Sequence, residues 1–370
     1  MPCTIHPPKR LLFGPGPTQV ADRIYEAMSQ PVVGYLDPYF FEVAADVKRG
    51  LQSVFGTTAN DMTFAISGTG SAGMETAVSN FVEPGHKFVV FVAGFFAERI
   101  CEMGRRHGAQ VVKCDRAWGE AFSDDEVRDF ILKERPNMVA YVNAETSTGV
   151  LQAGKAICEA AHEVGALVIA DCVTSLGGVK IGVDETGIDI AYSCSQKGLS
   201  CPPGLSPFTA SPRAVERLNA RAHVNTVWYL DLRLLEDYYG AAHKYHHTAP
   251  ISNFYAMKEG LALIAEEGVE ARWARHHANH ELLVKGMEAL GCTMHVAAGH
   301  RIPHLNTVRV PAGVDDLAVR KRLMADHGIE IAGGFGPLAG KIFRIGLMGP
   351  LSTPEHTAMF LEAFGQALKA

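Results

Sequence analysis

Between about residue 60 and residue 220, short apolar runs alternate with longer amphipathic stretches. The apolar runs predict strands at 62–66, 88–92, 110–113, 138–143, 167–171 and 190–193. The stretches between the earlier ones carry helical periodicity at 73–82, 97–107, 124–134 and 155–164. Such alternation predicts a mostly parallel sheet wrapped by helices. Several runs are apolar at successive positions, as strands covered on both faces should be. After about residue 250 the pattern changes. Two long helices are expected at 253–267 and 269–290. They are followed by short strands near 292–295, 307–309, 329–332 and 342–345, with helices at 315–327 and 354–368. The expectation is an α/β chain with an N-terminal arm (1–20), a large domain (21–255) and a smaller C-terminal α+β domain (256–370). The segment Gly14-Pro15-Gly16-Pro17 is expected to be extended.

Composition narrows the classes. A chain of 370 residues suits a large domain plus a smaller one. Apolar residues make up 47% and charged residues 20%, the balance of an ordinary globular enzyme. A net charge of −6 gives no electrostatic case for nucleic acid or an anionic membrane. No run reaches the roughly 20 apolar residues of a membrane span. The first ten residues lack the apolar core of a signal peptide, and the last four are not a peroxisomal address. The eight cysteines show no Cys-x-x-Cys spacing. They read as free thiols of a reducing compartment, so a cytoplasmic location is expected and no metal site is assigned.

The candidate chemistry lies at strand ends, where ligands of open α/β sheets bind. Asp171 closes the run 166–171, and Lys197 follows the run 190–193 among small residues, with Pro202-Pro203-Gly204 beyond. An acid and a lysine so placed suit pyridoxal 5'-phosphate: the lysine makes the Schiff base, and the acid keeps the pyridine nitrogen protonated. Ser67-Gly68-Thr69-Gly70-Ser71-Ala72-Gly73 joins a strand to a helix. Its glycines allow close approach of a phosphate, and the helix N-terminus supplies free N–H groups. It is not a P-loop, because no Gly-Lys-Ser/Thr follows. Gly68, Gly70 and Gly73 do have the Gly-x-Gly-x-x-Gly spacing of a dinucleotide fingerprint, a weak signal on its own.

Several motifs occur in order: Gly14-Pro15-Gly16-Pro17, Ser67-Gly68-Thr69-Gly70, Glu145-Thr146-Ser147-Thr148-Gly149, Asp171-x-Val173, Ser195-Gln196-Lys197, Tyr245-His246-His247-Thr248 and Arg344-Ile345-Gly346. Together they resemble the class V aminotransferases, in particular the alanine/serine–glyoxylate branch of fold type I enzymes. The resemblance covers nearly the whole chain. It implies Lys197 as the Schiff-base lysine, Asp171 at the ring nitrogen and Val173 under the ring. It implies Gly68, Thr69, Gly70, Ser71 and Gln196 around the phosphate. Thr146 stands where the family has a serine that bonds the cofactor, and Phe96 where close relatives stack a tryptophan. Tyr245 and Thr248 match positions that reach the phosphate of a neighbouring subunit, which implies a homodimer with shared sites. Arg344 matches the arginine for the substrate carboxylate, with Gly16 and Tyr35 in the small-substrate pocket. The implied substrates are a small amino acid, alanine or serine, and a 2-oxo acid, glyoxylate or pyruvate.

Rival readings stay open at this point. Aspartate or 2-aminoethylphosphonate could be the donor. A lyase or desulfurase of the same fold would need a mobile catalytic cysteine, and 320–350 has none. Ureidoglycine–glyoxylate relatives use Gln where this chain has Tyr35, which argues against that substrate. A dehydrogenase would need a ribose-binding acid at the end of the next strand, where Val92 is followed by Ala93 and Gly94, and a non-catalytic binding protein would not need Lys197, Asp171 and Arg344 together. Adjacent His246 and His247 read as structural hydrogen-bonding residues.

Overall fold

The computed structural model describes residues 4–369. In chain order the strands are β1 (Leu11–Leu12), β2 (Met62–Ser67), β3 (Lys87–Val92), β4 (Gln110–Asp115), β5 (Met138–Val142), β6 (Ala144–Glu145), β7 (Val150–Leu151), β8 (Leu167–Asp171), β9 (Ile190–Tyr192), β10 (Leu205–Ala210), β11 (Leu305–Arg309), β12 (Ile329–Glu330), β13 (Ala332–Gly333) and β14 (Ile342–Gly346). The helices are α1 (Asp22–Met28), α2 (Pro38–Phe55), α3 (Gly70–Phe81), α4 (Phe95–Arg106), α5 (Asp124–Glu134), α6 (Lys155–Glu163), α7 (Val183–Thr186), α8 (Pro212–Asn219), α9 (Leu232–Tyr239), α10 (Ile251–Glu267), α11 (Val269–Ala289), α12 (Asp316–His327) and α13 (Pro354–Lys369).

A seven-stranded sheet in the order β2-β10-β9-β8-β5-β3-β4 forms the centre. Only β10 runs against its neighbours. Because side chains alternate across a strand, each strand feeds two cores. Val89 and Phe91 belong to one apolar cluster, and Phe88, Val90 and Val92 to the other. A second, three-stranded sheet, β11-β14-β13, carries its own core of Leu283, Phe343, Phe360 and Phe364 against α11, α12 and α13.

The N-terminal arm joins this second unit. Leu11–Leu12 pair in parallel with Ile329–Glu330, a short strand where plain extended chain was expected. Phe13 is fully buried in the C-terminal core, its ring 4.9 Å from Phe360. Burying one phenyl contributes about 2–3 kcal/mol, enough to pin so short a segment.

Other departures are local. The expected strand at 292–295 reduces to one bridge, Met294 to Val308. The expected run 329–332 splits, β12 facing the arm and β13 facing β14. α3 begins three residues earlier than expected and α4 two, so the Gly-rich turn is itself the first turn of α3. Helices α1, α2, α8 and α9 and strand β10 had no sequence expectation.

Candidate active site

Lys197 lies in the loop between β9 and β10. That loop is braced by Ser200 N–H to the Lys197 carbonyl (2.8 Å), Cys201 N–H to Ser195 O (2.9 Å) and Ser195 Oγ to Pro202 O (2.6 Å). The lysine amine is buried and donates to Thr146 Oγ1 (2.6 Å) and Thr174 Oγ1 (2.9 Å). Burial lowers its pKa, because the charged form loses solvation. Asp171 ends β8. Its Oδ1 accepts from Val173 N–H (2.9 Å) and its Oδ2 from the Tyr192 hydroxyl (2.8 Å). Burial raises its pKa despite both donors. A buried carboxylate in that condition suits a cationic ring nitrogen, which would favour its charged form.

A candidate phosphate cradle lies on the first turn of α3. Gly68 has φ +143, a conformation open to glycine, and donates its N–H to Gly204 O (2.9 Å). Thr69 is the N-cap residue, yet its hydroxyl makes no capping bond and stands exposed. A Cβ on Gly70 would lie 2.9 Å from Val173 Cγ2, so the glycine lets the turn pack against the valine. Ser71 Oγ accepts from Arg99 (3.0 Å). Gln196 Oε1 is buried without a hydrogen-bond partner, an orphan that a bound ligand's donor would satisfy. These residues fit a phosphorylated pyridine aldehyde.

Phe96 lies beside the lysine, its ring centroid 5.6 Å from Nζ. Glu145 holds it there: Oε2 accepts from Phe96 N–H (3.2 Å) at the start of α4, and Oε1 from Ser147 N–H and Oγ (3.0 and 2.6 Å). A carboxylate at a helix N-terminus is favoured by the free N–H groups, although burial raises its pKa.

Arg344 projects from β14. Its Nε donates to Gly333 O (2.7 Å) and one terminal nitrogen to Thr146 O (3.4 Å), and its guanidinium lies 4.0 Å from the Phe335 ring centre. Burial lowers its pKa to about 10, so it stays charged at neutral pH. Gly16 abuts the lysine: its φ is +114, and a Cβ there would come within 2.9 Å of Lys197 Cγ. Thr18 fastens the same loop, N–H to Gln196 O (3.1 Å) and Oγ1 to Lys197 O (3.2 Å).

Tyr35, Tyr245 and Thr248 form a separate, exposed group. The two tyrosine rings lie 4.9 Å apart, and Tyr245 is 54% exposed. His246 Nε2 bonds Tyr229 O (3.1 Å) and His247 Nε2 bonds Ser67 Oγ (2.8 Å).

Sequence reasoning missed Thr174, Tyr192 and Arg99. Arg99 had a readable signal, since it stands three and four residues after Phe96 and Phe95 on one helical face. Its guanidinium lies 5.1 and 5.3 Å from their ring centres. Thr174 and Tyr192 had none, because their partners come from the folding of separate strands.

The model of the aminotransferase class-V family matches residues 11–340. An alanine–glyoxylate aminotransferase of Drosophila melanogaster is 36% identical over 99% of this chain and 94% of its own length. A (S)-ureidoglycine–glyoxylate transaminase of Bacillus subtilis is 37% identical over 96% of this chain and 89% of its own. The crystal structure of an alanine–glyoxylate aminotransferase from Nostoc sp. superposes with a TM-score of 0.97 at 46% identity, covering 100% of this chain and 97% of that one. Fold, strand-end site and relatives agree: this chain belongs to the class V aminotransferase family.

Proposed function

We propose that the chain is a pyridoxal 5'-phosphate-dependent aminotransferase that moves the amino group of alanine or serine to glyoxylate or pyruvate. The observation that carries the reading is the buried Lys197 amine, held between two threonine hydroxyls, with a buried acid at the end of β8 and Arg344 reaching the same Thr146. Lys197 would hold the cofactor, Thr69, Ser71 and Gln196 would receive its phosphate, Val173 and Phe96 would pack on its ring, and Asp171 would stabilise its protonated nitrogen. Bound there, the group supplies an aldehyde for the amine and a protonated ring that withdraws electrons from the substrate α-carbon. Arg344 fixes the substrate carboxylate through a two-pronged contact. The Lys197 amine would take the α-proton of the amino donor at Nζ and, in the reverse half of the reaction, deliver a proton to the α-carbon of the acceptor. Burial lowers its pKa, which favours the neutral form a base needs.

The protein works as a homodimer in the cytoplasm, with Tyr245 and Thr248 lent to the partner's site. The exposed apolar side chains Val32, Leu36, Tyr39 and Trp228 in the segments around Tyr35 and Tyr245 support the dimer. The described cysteines are free thiols, which supports a reducing compartment. Glyoxylate is named as acceptor in both the alanine and the ureidoglycine relatives, which favours it over pyruvate.

Half-reactions of a panel of amino donors, followed by glyoxylate, pyruvate or 2-oxoglutarate, test the reading. The purified protein is expected to be yellow, with a band that shifts on adding alanine. Lys197→Ala should still bind the cofactor but lose about ten-thousandfold or more in turnover. Transamination by that variant near the wild-type rate would refute the assignment.

A further inference from the structure

Six side chains close a circuit around the place where a substrate must lie. The Lys197 amine is 5.6 Å from the Phe96 ring centre, and Phe96 meets Phe95 edge-on at 5.6 Å. Phe95 lies 5.4 Å from Phe335, which covers the Arg344 guanidinium at 4.0 Å. Arg344 reaches the Thr146 carbonyl, and the Thr146 hydroxyl returns to the lysine. Phe95 and Phe335 belong to different units of the molecule, α4 beside the large sheet and the loop between β13 and β14. Each is left 38% exposed. Water-exposed aromatic rings that touch each other across a unit boundary, beside a buried cation, are not there to fill a core.

We propose that Phe335 and Phe95 determine specificity, confining substrates to amino acids with small side chains and to short 2-oxo acids. The proposal deepens the aminotransferase reading and rests on it for the roles of Lys197 and Arg344. Arg344 spends Nε and one terminal nitrogen on Gly333 and Thr146, and the Phe335 ring covers one face of its plane. A carboxylate is therefore received only on the free edge, in plane. With the carboxylate on that edge and the amino group at Lys197 Nζ, the α-carbon falls inside the circuit, half of whose members are phenyl rings. A hydrogen, methyl or hydroxymethyl substituent fits within it. A branched or aromatic chain must part Phe95 from Phe335 and uncover the guanidinium. Among the described residues, a second carboxylate finds its nearest cations at this wall already engaged. Arg320, the neighbouring charge, is held by Asp316 at 2.9 Å, and Arg99 is directed to Ser71.

Phe335 sits in Gly333-Gly334-Phe335-Gly336-Pro337. Gly336 has φ +48, and a Cβ there would lie 3.4 Å from Trp118. The loop is thus laid against the large unit with Phe335 at its tip. Its exposure means the ring can be truncated without opening a core cavity.

The test compares wild type, Phe335→Ala, Phe95→Ala and the double variant, with leucine and alanine as donors and glyoxylate as acceptor. Phe335→Ala is expected to raise the leucine-to-alanine ratio of kcat/KM about tenfold or more, and to raise KM for alanine as the guanidinium loses its cover. Phe335→Tyr, which keeps a ring, should keep the wild-type ratio. Ratios unchanged to within about twofold in all three alanine variants would overturn the proposal. Calorimetric binding of two unreactive acids, propionate and 4-methylpentanoate, to wild type and Phe335→Ala separates this from the function itself. A protein that prefers propionate until Phe335 is removed, yet transfers no amino group, keeps the selector and loses the aminotransferase reading. A protein that transfers amino groups but binds both acids alike in both forms keeps the activity and loses the selector.

Discussion

Arg344 makes hydrogen bonds to the protein itself on two sides, and only a planar fork can do so while presenting a further edge to a ligand. A lysine has one compact head at the end of a flexible stem. It cannot keep Gly333 and Thr146 and receive a carboxylate as well. Arg344→Lys should therefore raise KM for amino acid and 2-oxo acid alike by about ten- to a hundredfold, with a smaller change in kcat. Steady-state kinetics with both substrates checks this, and an unchanged KM would place the carboxylate elsewhere. The same scale explains Glu145, whose role was not legible in the sequence. A carboxylate two residues before Ser147 looks like any polar strand end until α4 is seen to begin against it.

At the scale of elements, the arm and the lysine loop behave as one piece. Gly16 has positive φ and no room for a side chain beside Lys197 Cγ, and two residues later Thr18 bonds that loop twice. Gly16→Ala should cost about 1–2 kcal/mol from backbone strain and crowding. It should also weaken cofactor retention, because the lysine stem is what yields. Thermal unfolding with and without added cofactor reads both effects, and a variant matching wild type in both would show that the arm is merely adjacent. The parallel strands of the large sheet were legible to within one or two residues, and for all but the edge strand β4 burial on both faces demands unbroken apolar runs. β10 escaped for the opposite reason. Its sequence, Leu-Ser-Pro-Phe-Thr-Ala, contains a proline that argues against a central strand. The structure resolves the conflict: Pro207 turns its carbonyl to Ser193 N–H just beyond Tyr192, where β9 has ended, so its missing N–H leaves no gap in the ladder. α2 carried readable signals, Asp37 as N-cap, Pro38 in the first turn and left-handed Gly56 at its end. Asp171, Lys197 and Arg344 lie far apart in sequence and were legible through the motif each sits in, whereas Thr174, Tyr192 and Phe335 stand in no quoted motif and acquire their partners only in the folded chain.

At the scale of the whole molecule, the proposed dimer would cover the exposed Tyr35, Tyr245 and Thr248. Sites shared between subunits allow complementation. Lys197→Ala and Tyr245→Ala each damage both sites of their own dimer. A mixed dimer rebuilds one intact site, from the Lys197 of one chain and the Tyr245 of the other. Unfolding and refolding an equal mixture of the two inactive variants should restore about a quarter of wild-type activity, since half of the dimers are mixed and each has one whole site. Activity no greater than the sum of the separately refolded variants would show that Tyr245 serves its own chain.

The N-terminal strand ties distant parts of the molecule together. Phe13 is sunk in the C-terminal core, while Thr18, five residues on, grips the loop that carries Lys197. A chain so short has almost no slack. The C-terminal unit cannot swing relative to the large sheet without tugging on that loop, so the arm acts as a mechanical linkage through which the posture of one half is felt at the Lys197 amine of the other.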